Sequence, residues 1–287
     1  MGVVYILVSG AAFGLLPWFA RVAYDHGAGP LGLLTARFTI AAIGLLVMRI
    51  VSQRGRAWPE RRLAMQLFLL GALGYAVQSS FYFYAIKRMD VSLGTVIFYT
   101  FPVLVVLAGW VVFGARPTRS MVACLATVVV GAALTAGEVP SGTFIGVAAM
   151  LCAAAWYTCY ILVSSRIAHR AGALTSLTIV MIGASFTHLV AIPFHGDPLP
   201  QDATGWWAVA AAAVVSTIVG MGLFFAGVAR LGPGRAAILS TIEPVVSIGV
   251  GVLALGEALN AARVVGAVAV LTGVTVLATR STSVDSR

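Results

Sequence analysis

Arg37 and Glu243 stand in stretches otherwise too apolar to carry a charge, Gly32-Leu33-Leu34-Thr35-Ala36 before the arginine and Ile242 and Pro244-Val245 around the glutamate. In a bilayer each would cost about 2.5–3.5 kcal/mol unless paired, hydrated or neutralised. Together they could do one piece of binding chemistry. Arg37 would take a carboxylate and Glu243 an amine, a clamp for a zwitterion. The alternative makes both structural, satisfied by helix ends or backbone. Polar and aromatic residues recur on shared helical faces nearby: Tyr75, Gln78 and Tyr82, then Thr95, Tyr99 and Pro102, then Trp156, Tyr157 and Tyr160, then Ser240, Glu243 and Ser247. A buried tyrosine needs a hydrogen-bond partner, so Tyr82, Tyr99 and Trp156 suggest a polar lumen. Gln78, Tyr82, Tyr99, Trp156, Tyr157, Tyr160, Ser240, Glu243 and Arg37 are the candidate lining. Pro17, Pro102 and Pro244 are candidate hinges. A proline inside a helix removes one backbone hydrogen bond and frees the carbonyl four residues earlier, which would be that of Phe98 or Ser240 for the last two. A static kink is the equal alternative.

Catalytic readings find little support. Lys87, the only lysine, is followed by Arg88-Met89 and not by Ser or Thr, so no ATP-binding phosphate loop exists. None of the four histidines belongs to a His-Glu-x-x-His pair, and neither a metal site nor a cofactor is expected. Gly232-Pro233-Gly234-Arg235 reads as a tight turn.

The elements that must position these residues are membrane helices. Hydrophobic residues make up 60% of the 287 and charged residues 9%, against roughly 25% charged in a soluble domain. A span needs about 20 apolar residues. Ten can be drawn, at 3–23, 31–51, 63–86, 91–113, 119–137, 142–163, 173–194, 204–229, 234–255 and 261–279. The first is read as a retained span and not a signal peptide, since no basic residue precedes a long apolar run. Cys124, Cys152 and Cys159 lie inside spans and are expected to be small packing residues, not a disulfide framework.

The chain also repeats itself. At an offset of 142, Phe83/Phe225, Arg88/Arg230, Pro102/Pro244, Val103/Val245, Gly109/Gly251, Gly114/Gly256, Val128/Val270 and Gly131/Gly273 are identical pairs. Two halves follow, 1–138 and 142–280, with 281–287 as a tail. The net charge of +9 sorts by side. With the N-terminus in the cytoplasm, thirteen of the eighteen basic residues fall inside and most acidic residues outside. The basic charge is thus topology and not a nucleic-acid site. Five spans per half is an odd number, so the second half enters from the opposite face. The expectation is an all-α integral membrane protein, ten transmembrane helices in two inverted repeats around a central cavity, as in secondary transporters.

Glu243-Pro244-Val245, Leu255-Gly256-Glu257, Gly266 and Gly273, with Ala36-Arg37-Phe38 in the second span, resemble the signature of EamA-type transporters of the drug/metabolite transporter superfamily. The first half departs from it, with Phe101 before Pro102 and Ala115 where Glu257 would map. The resemblance covers about 2–280. It implies a helical basket whose first four spans per half line a cavity, with the fifth and tenth bracing it or pairing subunits. It implies export of a small molecule across the inner (plasma) membrane, neutral and aromatic amino acids foremost, because similar proteins export them. The partners implied are that solute and the lipid bilayer, the protein being a monomer or homodimer. Export of a nucleoside, a cationic drug or another metabolite stays open, and a membrane-embedded enzyme is the remaining class.

Overall fold

The computed structural model describes residues 1–113, 143–231, 239–240, 242–258 and 261–284, with isolated positions between 119 and 131. The described residues are helical throughout, joined by short turns. The helices are α1 (Gly2–Gly14), α2 (Leu16–Asp25), α3 (Pro30–Ser52), α4 (Arg61–Leu69), α5 (Ala76–Ile86), α6 (Val91–Phe98) and α7 (Phe101–Phe113). They continue with α8 (Phe144–Ile167), α9 (Ala173–His195), α10 (Ala203–Ala211), α11 (Gly220–Leu231), α12 (Ile242–Leu255) and α13 (Ala261–Val284). Six stretches are long and apolar enough to cross a membrane: Gly2–Asp25, Pro30–Ser52, Arg61–Ile86, Phe144–Ser164, Ala173–Phe194 and Ala203–Phe224. Val91–Val105, Ile242–Leu255 and Val264–Gly273 are shorter apolar helices. The chain is a multi-pass membrane protein. Most of the expected fifth span, Cys124, the 232–235 turn and the end of the tail lie outside the described residues.

Two π-helical segments interrupt the long helices, Leu70–Tyr75 between α4 and α5 and Ala212–Val219 between α10 and α11. They open 142 residues apart, the offset that aligns the sequence halves. Helix packing obeys the same exchange. α1 packs on α11 and α12, and α8 packs on α5, α6 and α7; α3 crosses α9, and α6 crosses α12. Each half thus lends its first span to the other half's third and fourth.

Small residues set these crossings. A Cβ on Gly14 would fall 2.6 Å from the Val246 Cβ and 2.8 Å from the Glu243 carbonyl oxygen, and one on Gly10 would strike the Ile242 side chain. Gly10 and Gly14 are one helical turn apart, so α1 lies directly on α12. Hydroxyls tie α1 to α12, to the second π segment and to α11. Ser247 Oγ donates to the Gly14 carbonyl at 3.1 Å, Ser216 Oγ to Ala12 at 2.6 Å, and Ser9 Oγ to Gly220 at 2.7 Å.

The prolines correct an expectation. Pro17 opens α2 just past Leu15, the one turn residue that links α1 to α2 with right-handed helical backbone, and Pro102 and Pro244 stand in the first turn of a new helix (α7 and α12). There the missing N–H has no helical partner to lose. The Ser240 carbonyl is not freed, since it accepts from the Glu243 N–H at 3.0 Å. Cys152 and Cys159 are also not packing residues. Both are free thiols on the exposed face of α8.

At one end of the bundle, acidic groups from the second half cap helices of the first. Leu31 N–H, in the first turn of α3, donates to Asp197 Oδ2 at 2.9 Å. Val91 and Ser92 N–H, opening α6, donate to the two Glu257 oxygens at 2.5 and 2.9 Å. Gly256 makes the second cap reachable. Its φ of +68° turns the chain sharply after α12, in a region that side chains disfavour. His26 and Asp202 pair at 2.5 Å across the same end, where Asp202 also accepts from the Gly205 N–H and caps α10.

Candidate functional site: an aromatic circuit between the halves

Aromatic side chains of α3, the first π segment, α5, α6 and α8 meet in a series of ring contacts. Phe38 meets Tyr75 (5.4 Å between centroids), Tyr75 meets Tyr160 (5.6 Å), and Tyr160 stacks on Tyr157 (5.9 Å). Tyr157 meets Phe98 (5.4 Å), Phe98 meets Tyr82 (5.1 Å), and Tyr82 meets Phe83 (5.4 Å). The Arg37 guanidinium lies 5.1 Å from the Phe38 ring and 5.3 Å from the Phe83 ring, which closes the circuit. The spacings suit offset and edge-on contact, each worth about 0.5–1.5 kcal/mol beyond area burial. Tyr82, Phe98, Tyr157 and Tyr160 are partly exposed within it, whereas Phe38 and Phe83 are sealed.

The circuit takes in part of the candidate lining. Tyr82, Tyr157, Tyr160 and Arg37 belong to it. Tyr99 flanks it, its ring edge-on to Phe98 at 6.5 Å while it is buried in a second apolar cluster with Val96, Val103, Ala267 and Val270, between α6, α7 and α13. Its hydroxyl still matters, because the Tyr99 and Glu243 side chains interact electrostatically across the α6–α12 crossing. Gln78 is buried, its carbonyl oxygen accepting from Ser79 Oγ at 3.3 Å. Ser240 forms the turn that leads into α12. Trp156 falls elsewhere. It shares the exposed stripe of α8 with Ile145, Cys152, Cys159 and Val163, and its indole N–H donates to the Leu73 carbonyl at 2.9 Å. That carbonyl lies in a π segment, where the widened helical turn leaves acceptors off the regular ladder. One residue of rotation, about 100°, separates Trp156 from Tyr157. Spacing along α8 alone could not choose between the two.

Arg37 and Glu243 form no ion pair among the described residues. Arg37 is 1% exposed; its Nε donates to Thr217 Oγ1 at 3.0 Å, and its Nη2 meets no acceptor among the described residues. Tyr82 interacts electrostatically with both Arg37 and Glu243.

Sequence reasoning missed Tyr75 as a lining residue, and also Phe98, Thr217 and His188. Tyr75 was visible on its stripe. Phe98 was hidden because helix α6 ends there and the backbone turns before Phe101, which displaces the face that helical spacing assigns to Tyr99. His188 packs edge-on against Phe38 at 5.2 Å, its Nδ1 on the Ala184 carbonyl and its Nε2 on Ser80 Oγ. A lone histidine in an apolar helix gave no signal for that role.

The profile of the EamA-like transporter family matches twice, over residues 1–137 and 144–279. The chain belongs to the EamA-like transporter family. It is similar to YcbK of Bacillus subtilis (strain 168), an uncharacterized transporter, at 24% identity over 92% of this chain and 88% of that one. One solved crystal structure superimposes with a TM-score of 0.65 at 23% identity, covering 96% of this chain and 98% of the other, which is a likeness of fold. Family and relative alike point to a membrane transporter. Its two family matches bracket the two π segments, one in each copy.

Proposed function

We propose that this EamA-like protein is a secondary transporter that exports small metabolites, neutral and aromatic amino acids foremost, across the inner (plasma) membrane by alternating access. In this reading ten spans form two inverted five-helix repeats with both termini in the cytoplasm. The capped end of the bundle, with Asp197, Glu257 and the His26–Asp202 pair, then faces outward. The aromatic circuit carries the reading. Four partly exposed rings surround a space at the junction of the halves, and a solute with a flat apolar side chain gains edge or face contact with several of them. At about 0.5–1.5 kcal/mol each, one contact is worth a two- to tenfold preference, so selectivity is broad.

The Arg37–Thr217 hydrogen bond and the electrostatic contact of Tyr99 with Glu243 both join one half to the other. They tie occupancy of the chamber to the relative position of the halves. The helix breaks at Pro17, Pro102 and Pro244 are the flexing points, since each interrupts the backbone ladder next to the chamber.

The test is counterflow in proteoliposomes preloaded with phenylalanine, leucine, a nucleoside or a cationic dye. Exchange of phenylalanine and leucine, with phenylalanine preferred several-fold, is the expected result. Exchange of the nucleoside or the dye alone would reassign the substrate.

A further inference from the structure

Two arginines are buried in this bundle, and they are used differently. Arg49 is 3% exposed, and three of its donors find acceptors: Nε on Thr175 Oγ1 at 3.3 Å, Nη2 on the Arg56 and Ala57 carbonyls at 3.0 and 3.1 Å, with the guanidinium 4.1 Å from the Trp58 ring. That is a structural arginine, tying α3 to the following loop. Arg37 lies three helical turns earlier on the same helix. Its Nε rests on the neutral hydroxyl of Thr217, and Nη2 is buried without an acceptor among the described residues. No acidic side chain among the described residues pairs with it. A buried guanidinium with an open donor is costly unless an anion completes it. The natural complement of that fork is a carboxylate.

We propose that Arg37, held by Thr217 and walled by Phe38 and Phe83, is the carboxylate subsite of the transport site. The inference rests on the transport reading above and narrows its substrate class to solutes that carry a free carboxylate. Position supports it. The guanidinium fills the gap between Phe38 and Phe83 in the aromatic circuit, so an anion on Nη2 places the rest of the solute among the rings. Thr217 belongs to the π segment of the second half and Arg37 to the first. Separation of the halves therefore uncovers the donor, and their closure seals a bound carboxylate away from water. Nucleosides and simple cationic dyes have no group that completes the pair.

The test compares acid with amide on the full-length protein in proteoliposomes, using labelled phenylalanine counterflow. Unlabelled phenylalanine, phenylpropionate, phenylalaninamide and phenethylamine are the competitors. The two carboxylates should compete at least tenfold better than the two solutes that lack one. Arg37→Gln should lower phenylalanine affinity ten- to a hundredfold and leave that of phenylalaninamide unchanged, and Arg37→Lys should recover part of the difference. Equal competition by acid and amide in the unaltered protein overturns the subsite, and that arm needs no variant to fold. An equal loss for acid and amide in Arg37→Gln also overturns it. If phenylalanine is not carried at all, the aromatic reading fails on its own. The subsite is then judged by acid against amide for leucine, alanine and lactate, and a panel in which no carboxylate moves overturns it as well.

Discussion

Tyr82 and Phe98 meet edge-on at 5.1 Å, and both stay partly exposed inside a helical bundle. A side chain in that position gives up little packing when trimmed, because part of its surface already meets open space. Tyr82→Ala and Phe98→Ala should each lower phenylalanine counterflow about two- to tenfold with normal membrane insertion, as each removes one ring contact. Trp156→Ala is the control on the neighbouring face of α8. Its exposed ring lies on the side of Cys152 and Cys159, so transport should stay within about twofold of the unaltered rate. A loss at Trp156 matching that at Tyr82, read by initial rates in proteoliposomes, would place the chamber on the other face of α8.

At the scale of helices, two features lend themselves to measurement. The α1–α12 seam depends on Gly10 and Gly14 unequally. An added Cβ at Gly10 meets the Ile242 Cγ2 methyl but no backbone atom closer than 3.6 Å, whereas at Gly14 it meets the Glu243 carbonyl oxygen at 2.8 Å as well as the Val246 Cβ, and the backbone has less room to give. Overpacking of this kind costs about 1–3 kcal/mol. Gly14→Ala should therefore lower the melting temperature in detergent more than Gly10→Ala does, and the reverse order would show that α1 slides along α12. The second feature is the cap on α10. Backbone donation from Gly205, then the His26 side chain, hold the Asp202 carboxyl below the usual carboxylate range. A depressed value in the folded state means that the stabilisation is present above about pH 4 and is lost as pH falls through the lower folded value. Asp202→Ala should melt earlier than the unaltered protein from pH 5 to 8, and the gap should close below about pH 3. A gap that persists there would assign the effect to packing.

The whole molecule sets topology and energy source. With both termini in the cytoplasm, single cysteines at Asp25, Glu138 and Gln201 should react with an impermeant thiol reagent added outside, and cysteines at Arg54 and Arg170 should not. The reagent would be scored on a background where Cys124, Cys152 and Cys159 are removed. Labelling at position 170 would defeat the inverted arrangement of the halves. Lacking a phosphate loop for ATP, transport should follow the solute gradient. Collapse of the proton gradient at fixed solute gradients should change initial rates little, and complete arrest would identify Glu243 as a proton carrier.

Composition and periodicity were enough to establish a membrane bundle built from two related halves, because lipid demands long apolar helices and a fixed offset of identical residues survives without any knowledge of packing. The family was legible for the same reason, in short motifs such as Glu243-Pro244-Val245. Arg37 and Glu243 stood out because charge in lipid is costly wherever it sits. Their partners were not legible. Thr217 comes to Arg37 from 180 residues away in the sequence, and Tyr99 reaches Glu243 across a crossing that only the packing of α6 on α12 creates. Spacing along one helix names a face but not what that face meets. It gave Tyr157 and Trp156 equal standing until the bundle turned one inward and the other out. It carried the stripe from Thr95 to Pro102 through a helix that in fact ends at Phe98, which brought Phe98 against Tyr82 and Tyr157 and left Tyr99 on its flank. Contacts between distant segments depend on where glycines let backbones meet and where turns restart helices, and those were decided by the tertiary structure.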